Sequence, residues 1–172
     1  MTDAIDLHAD CTRCAALCCM APAFDKSPSF GIDKPAQTPC PNLDEAGACV
    51  IHEKLAERGF SGCVAYQCFG AGQRVTQDIF AGRSWLAEPQ LKAPMTRAFM
   101  ALRQIHELLA MLAEAGKLPL DAAERRTLTE LAGAMQPAGG WSEETLASAP
   151  LEEMAAQTHQ FLQSLRRHVS AR

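Results

Sequence analysis

The run PMTRAFMALRQIHELLAMLAEAG, from Pro94 to Gly116, places Met95, Ala98, Leu102, Ile105, Leu109 and Leu112 at steps of three and four residues. That spacing gathers apolar side chains on one face of an α-helix. Pro94 suits the first turn, Gly116 suits the end, and Pro119 stands just beyond. Moving toward the C-terminus, Asp121 can cap a second helix with Glu124 reaching back to it, and Pro137-Ala-Gly-Gly140 ends that helix. Ser142 can cap a short third helix that closes before Pro150. Leu151, Met154, Thr158, Phe161, Leu165 and Val169 repeat the three-and-four spacing and predict a fourth. His106 falls at the edge of the first seam, and His159 and His168 lie on the last helix. Met95, Met100, Met111, Met135 and Met154 read as core filler.

Toward the N-terminus the grammar changes. Ala21 to Gly31 and Pro35 to Pro41 are loops broken by proline and glycine. A short helix is expected from Cys49 to Glu57, with Gly59 as its left-handed cap. Short strands are expected at Cys63 to Tyr66 and Val75 to Phe80. The expected fold is therefore mainly α: an irregular, Cys-rich, metal-stabilised N-terminal module (residues 1–85) packed on a C-terminal bundle of three to four helices (residues 86–172). An apolar face of that helical half could serve a protein partner or a homodimer.

Composition narrows the classes of function. The chain has 172 residues, 48% hydrophobic and 21% charged, which suits one globular domain or a small pair. The net charge of −4 offers no basic excess for phosphates, so nucleic acid is not an expected partner. No apolar run reaches the roughly 18 residues of a membrane span. Met1 to Asp6 shows no basic, then apolar, export signal, so a cytoplasmic location is expected.

All eight cysteines lie between Cys11 and Cys68: Cys11, Cys14, Cys18, Cys19, Cys40, Cys49, Cys63 and Cys68. The Cys-x-x-Cys opening lets two sulfurs reach one ion from a single turn. Thiolates crowded together in a reducing cell attract soft or borderline cations. Zinc is the first expectation, with iron or an iron–sulfur cluster as the alternative. The thiols divide into Cys11, Cys14, Cys18 and Cys19 as one set and Cys40, Cys49, Cys63 and Cys68 as the other, with interleaving left open. Adjacent side chains diverge, so Cys18 and Cys19 suit two different ions, or one of them a bridge. His8 and His52 are near enough in sequence to replace a thiolate. Eight thiolates around two divalent ions keep four negative charges uncompensated, so cations or N–H donors are needed nearby. Arg13, Lys26, Lys34 and Arg58 are the candidates.

Cys11-x2-Cys14-x3-Cys18-Cys19, then Cys40-x2-Leu43, Gly47-x-Cys49-x-Ile51-His52 and Cys63, resembles the CxxCxxCC-type cysteine-cluster family of zinc- or iron-chelating proteins. The stretch Gly59-Phe-Ser-Gly-Cys63-Val-Ala-Tyr66-Gln-Cys68-Phe-Gly-Ala-Gly-Gln73 is also similar to the leader region of some bacterial pentapeptide-repeat proteins. No pentapeptide repeats follow in this chain. The opening has three residues rather than two before the Cys pair, and His52 stands where that family often has Tyr. The resemblance implies a bacterial protein that binds metal through its cysteines.

Two functional classes follow. One is a non-enzymatic metal-binding protein with a structural, regulatory or storage role. The other is an iron–sulfur or iron-dependent redox or modification enzyme with the cluster as active centre. Asp10, Asp25, Asp33, Asp44, Glu45, His52 and Glu53 are the possible bases near the cysteines, and their spacing singles out none. Gly70-Ala-Gly72 is too short for a dinucleotide loop.

Overall fold

The computed structural model describes residues 5–169. In chain order the α-helices are α1 Leu17–Met20, α2 Ser61–Ala65, α3 Ala71–Arg74, α4 Lys92–Ala115, α5 Ala122–Ala134, α6 Glu143–Ala147 and α7 Leu151–Ser164. A π turn, Val75–Ile79, extends α3, and a 3-10 turn, Leu165–His168, extends α7. The protein is mainly helical, with several helices packed together. β structure among the described residues amounts to three isolated antiparallel bridges: Phe24 with Lys34, Ser27 with Phe30, and Leu43 with Cys49.

Helix α4 is the central element. All six residues of its predicted seam are buried, and so are Phe99, Leu108 and Ala115. The buried stripe is thus wider than one seam, because α4 is covered on several sides at once. It packs against α1, α3, α5, α6 and α7. Pro94 sits in its first turn and Gly116 just past its end, as the sequence predicts. Asp121 and Glu124 form the reciprocal cap of α5: the Asp121 carboxylate accepts from the Ala123 and Glu124 N–H groups, and the Glu124 carboxylate accepts from the Asp121 N–H. Ser142 caps α6 in the same way, with Thr145 as its return partner. The end of the chain folds back onto this cap, where Arg167 meets Asp121 and Glu124, and His168 meets Glu124.

Both expected strands are helical instead. Cys63 to Ala65 belong to α2, and Val75–Ile79 form the π turn. In the second, Val75 and Thr76 are buried where the turn packs against α4, and that burial outweighs local strand preference. The expected helix from Cys49 shortens to a 3-10 turn, His52–Lys54, although Gly59 does take the left-handed conformation at φ 80°. Val169, the last residue of the fourth seam, is exposed because the chain has left the helix before it.

One apolar core runs through both halves. Leu17, Met20, Ala71, Val75, Phe80 and Trp85 are buried together with Met95, Phe99, Leu102 and Ile105 of α4. Full burial of a Leu, Met or Phe side chain stabilises by about 1.5–3 kcal/mol. The Cys-bearing segments are therefore anchored by ordinary hydrophobic packing along one side.

Candidate metal centre

Local structure presents the first four thiols on a short, pinned segment. Asp10 caps a 3-10 turn, Cys11–Arg13, by accepting from the Thr12 N–H at 3.0 Å. Cys14 closes that turn, with its N–H donating to the Cys11 carbonyl. Ala16 then adopts φ 52°, a left-handed conformation that costs a non-glycine residue about 1–3 kcal/mol. The neighbouring peptide is held on both sides. The Ala15 N–H donates to the Thr76 hydroxyl at 3.0 Å, and the Trp85 indole N–H donates to the Ala15 carbonyl at 2.6 Å. Leu17 and Met20 are fully buried, and between them Cys18 packs half-buried against the core while Cys19 stays outside it.

Three further segments bring the remaining thiols. The Cys40 N–H donates to the Cys19 carbonyl at 3.0 Å. Cys49 pairs with Leu43 in a tight loop whose amides are gathered by the Asp44 carboxylate. Cys63 rides on α2. Cys68 precedes Phe69, a second left-handed non-glycine residue at φ 50°. The buried His106 ring bonds the Phe69 carbonyl through Nδ1 at 2.6 Å, so His106 is an anchor inside the core and not a seam-edge residue. Burial pushes its pKa below the usual imidazole range, so it donates to that carbonyl as a neutral ring.

Gly72 lies against Cys14. A Cβ at position 72 would stand 2.5 Å from the Cys14 Sγ. Only glycine lets α3 approach this thiol so closely.

All eight cysteines are free thiols, and only Cys11 is strongly exposed. Burial, then the charge of its neighbours, makes most of them hard to ionise. Burial pushes Cys14 up to about 11, against the pull of the Leu17 N–H and the Thr76 hydroxyl. Burial also pushes Cys63 up to about 11, reinforced by Cys19, Cys40 and Cys49. Cys11 is raised by burial and by Cys68 and Cys19, and Cys49 by burial against the pull of the Ile51 N–H. The adjacent pair behaves differently. The Cys18 and Cys19 sulfurs are 3.8 Å apart, so these side chains converge rather than diverge. The hydrogen bond between them, with burial, raises the Cys18 pKa, and the same bond together with the facing Lys34 lowers that of Cys19.

Of the four candidate counter-cations, Lys34 alone is buried; Arg13, Lys26 and Arg58 are exposed. Its ammonium donates to the carbonyls of Met20 (3.2 Å), Pro35 (3.3 Å) and Thr38 (2.9 Å) and lies over the Phe24 ring. Burial lowers its pKa, and the facing Cys40, Cys19, Cys18 and Cys63 raise it. Tyr66 is the residue that sequence reasoning missed. Its hydroxyl is buried without a hydrogen-bond partner, near Cys18 and Cys68, and Arg103 lies over its ring. Burial pushes this phenol up to about 12.

His8 and His52 are not drawn in. His8 is exposed and bonds Asp6 at 2.8 Å, and His52 is exposed. Among the described residues, no three His, Cys, Asp or Glu side chains stand in the closed arrangement of a metal-holding group. The donor set nevertheless fits a thiophilic cation in its chemistry. It offers crowded thiols, N–H groups aimed at Cys14 and Cys49, a buried cation, and an orphaned phenol donor. No described helix is long and apolar enough to cross a membrane. A shallow groove of about 760 Å³ between α4 and α6, lined by Ala98, Met100, Ala101 and Leu146, lies on the helical half.

Fold and site together define a mainly helical protein with eight free thiols. Over 162 residues it is 40% identical to the uncharacterized protein YybG of Bacillus subtilis, an alignment that includes 91% of this chain. The chain spans 56% of that relative's length. No family model and no solved structure matches the chain.

Proposed function

We propose that this chain is a bacterial metal-binding protein that holds zinc through its eight cysteines in a structural, regulatory or storage role. The observation that carries the reading is convergence. Thiols from segments distant in sequence face one another, with Cys40, Cys19, Cys18 and Cys63 facing one buried lysine, and at Cys11, Cys14, Cys49 and Cys63 burial and neighbouring charge oppose ionisation unless a cation joins them. A bound divalent ion would supply that charge and displace the protons, coupling affinity to pH and to folding. The protein's own residues do the rest: Leu17 and Ile51 N–H groups steady the sulfurs, and Lys34 offsets excess negative charge.

The test is elemental analysis of anaerobically purified protein beside Cys14→Ser and Cys63→Ser. Zinc in the parent and less in both variants is the expected outcome. Iron with matching sulfide would transfer the site to the iron–sulfur class. Unchanged metal content in both variants would refute the ligand assignment.

A further inference from the structure

From the placement of the eight thiols we infer that they form two four-cysteine sites interleaved in sequence, Cys11, Cys14, Cys18 and Cys68 in one and Cys19, Cys40, Cys49 and Cys63 in the other. The inference rests on the metal-binding reading above and assigns the ligands within it. It replaces the division by sequence order, exchanging Cys19 and Cys68 between the sets.

The backbone makes both groupings. Gly72 lies against the Cys14 sulfur, and α3, which carries Gly72, begins three residues after Cys68. The Ala71 N–H donates to the Cys68 carbonyl at 3.0 Å, so the Cys68 turn and the Cys14 contact are two parts of one short unit. Cys11 shares the 3-10 turn that Cys14 closes. On the other side, Cys40 is bonded directly to Cys19 through the backbone, and the Leu43 N–H returns to the Cys40 carbonyl at 3.1 Å. Leu43 in turn pairs with Cys49. The α2 helix of Cys63 is tied to the adjoining loop, where the Gly62 N–H donates to the Ser29 carbonyl at 3.0 Å.

Electrostatic neighbours divide in the same way at Cys14, Cys63 and Cys49, whereas Cys11 faces Cys68 first and then Cys19 and Cys49 across the divide. Cys14 faces Cys68 and Cys11, whereas Cys63 faces Cys19, Cys40 and Cys49. Cys49 faces Cys19 and Cys40. Each set also has its own polar companion. The Tyr66 hydroxyl is near Cys18 and Cys68, and Lys34 faces Cys40 and Cys19 most strongly, with weaker influence from Cys18 and Cys63. A contact of 3.8 Å between Cys18 and Cys19 also equals the edge of a single zinc–thiolate tetrahedron, about 3.8 Å for bonds of about 2.3 Å. What separates the pair is their surroundings. Beyond each other, Cys18 faces Cys14 and Cys11, while Cys19 faces Lys34. Two all-sulfur sites would have closed coordination, with no position for water or substrate.

The test loads the reduced full-length chain with the NMR-active spin-half isotope of cadmium and correlates each bound ion with cysteine β protons. This reads ligands in the unaltered protein, so no variant has to fold. Two cadmium resonances are expected, one correlated with Cys68 and Cys14, the other with Cys19 and Cys63. Cys68→Ser should then remove or shift the first resonance at least tenfold more than the second. Correlation of Cys68 with Cys40, Cys49 or Cys63, of Cys18 and Cys19 with one ion, or of any cysteine with both ions would overturn the partition while leaving metal binding intact. Failure to bind cadmium at all would instead overturn the metal-binding reading, and the partition with it.

Discussion

Gly72→Ala tests the contact between α3 and the first thiol pair most directly. The added methyl would stand 2.5 Å from the Cys14 Sγ and 3.8 Å from Phe99, inside a fully buried face. Relief requires Cys14 to move, and Cys14 is held by Thr76 and the Leu17 N–H. Overpacking of this kind costs about 1–3 kcal/mol. Alanine's advantage over glycine within a helix returns about 1 kcal/mol. The net effect in the parent is therefore a destabilisation of about 0–2 kcal/mol. In a Cys14→Ala background the offending sulfur is gone and only the helix advantage survives, so Gly72→Ala becomes stabilising by up to about 1 kcal/mol. The coupling between the two positions is then about 1–3 kcal/mol. Urea unfolding of the reduced, metal-free forms measures all four corners of the cycle. Equal effects of Gly72→Ala in both backgrounds would refute the close approach of α3 to Cys14.

Three other outcomes are expected. Lys34→Met leaves three carbonyls without their donor and should cost about 2 kcal/mol or more of stability by urea unfolding; zinc affinity, followed by competition with a chelator, should fall at least tenfold. Parent-like zinc affinity would rule out Lys34 as counter-charge. Leu17→Ala empties a fully buried position behind Cys18 and should cost about 2–5 kcal/mol, read by thermal unfolding. His106 is depressed in the fold, so the unfolded chain binds more protons below its ordinary pKa of 6.5. Its contribution is complete above about 6.5 and is lost as pH falls through that value toward the folded pKa. Urea midpoints between pH 7.5 and 5 should decline, and His106→Gln should flatten that decline; an unchanged slope would contradict a buried neutral ring.

The elements readable from sequence were those specified by near neighbours. The Met95-to-Leu112 seam, the Asp121 and Ser142 caps, and the break before Pro150 all depend on residues a turn or so apart. The density of cysteines between Cys11 and Cys68 was readable, because it needs no fold to be noticed. Long-range burial was not readable. Nothing local separates Lys34 from Lys26; the difference comes from the Phe24–Lys34 bridge and the carbonyls of Met20 and Thr38 around the ammonium. His106 reads as a seam-edge residue until the Phe69 carbonyl is placed over it. Val75 to Ile79 have strand-like composition, yet they continue α3 as a π turn against α4. Tyr66 lacked any sequence signal beyond its place two residues before Cys68.

The two tryptophans tie down different segments of the chain. Trp85 donates to the carbonyl of Ala15, between Cys14 and Cys18, with Lys92 over its ring. Trp141 donates to the carbonyl of Met135, where α5 gives way to α6. The molecule thus carries two intrinsic fluorophores with separate territories. Emission from a Trp141→Phe form reports the cysteine loop, and emission from a Trp85→Phe form reports the helical hairpin. Quenching by a bound paramagnetic ion would fall unequally on the two, so the chain contains its own ruler for where an ion sits.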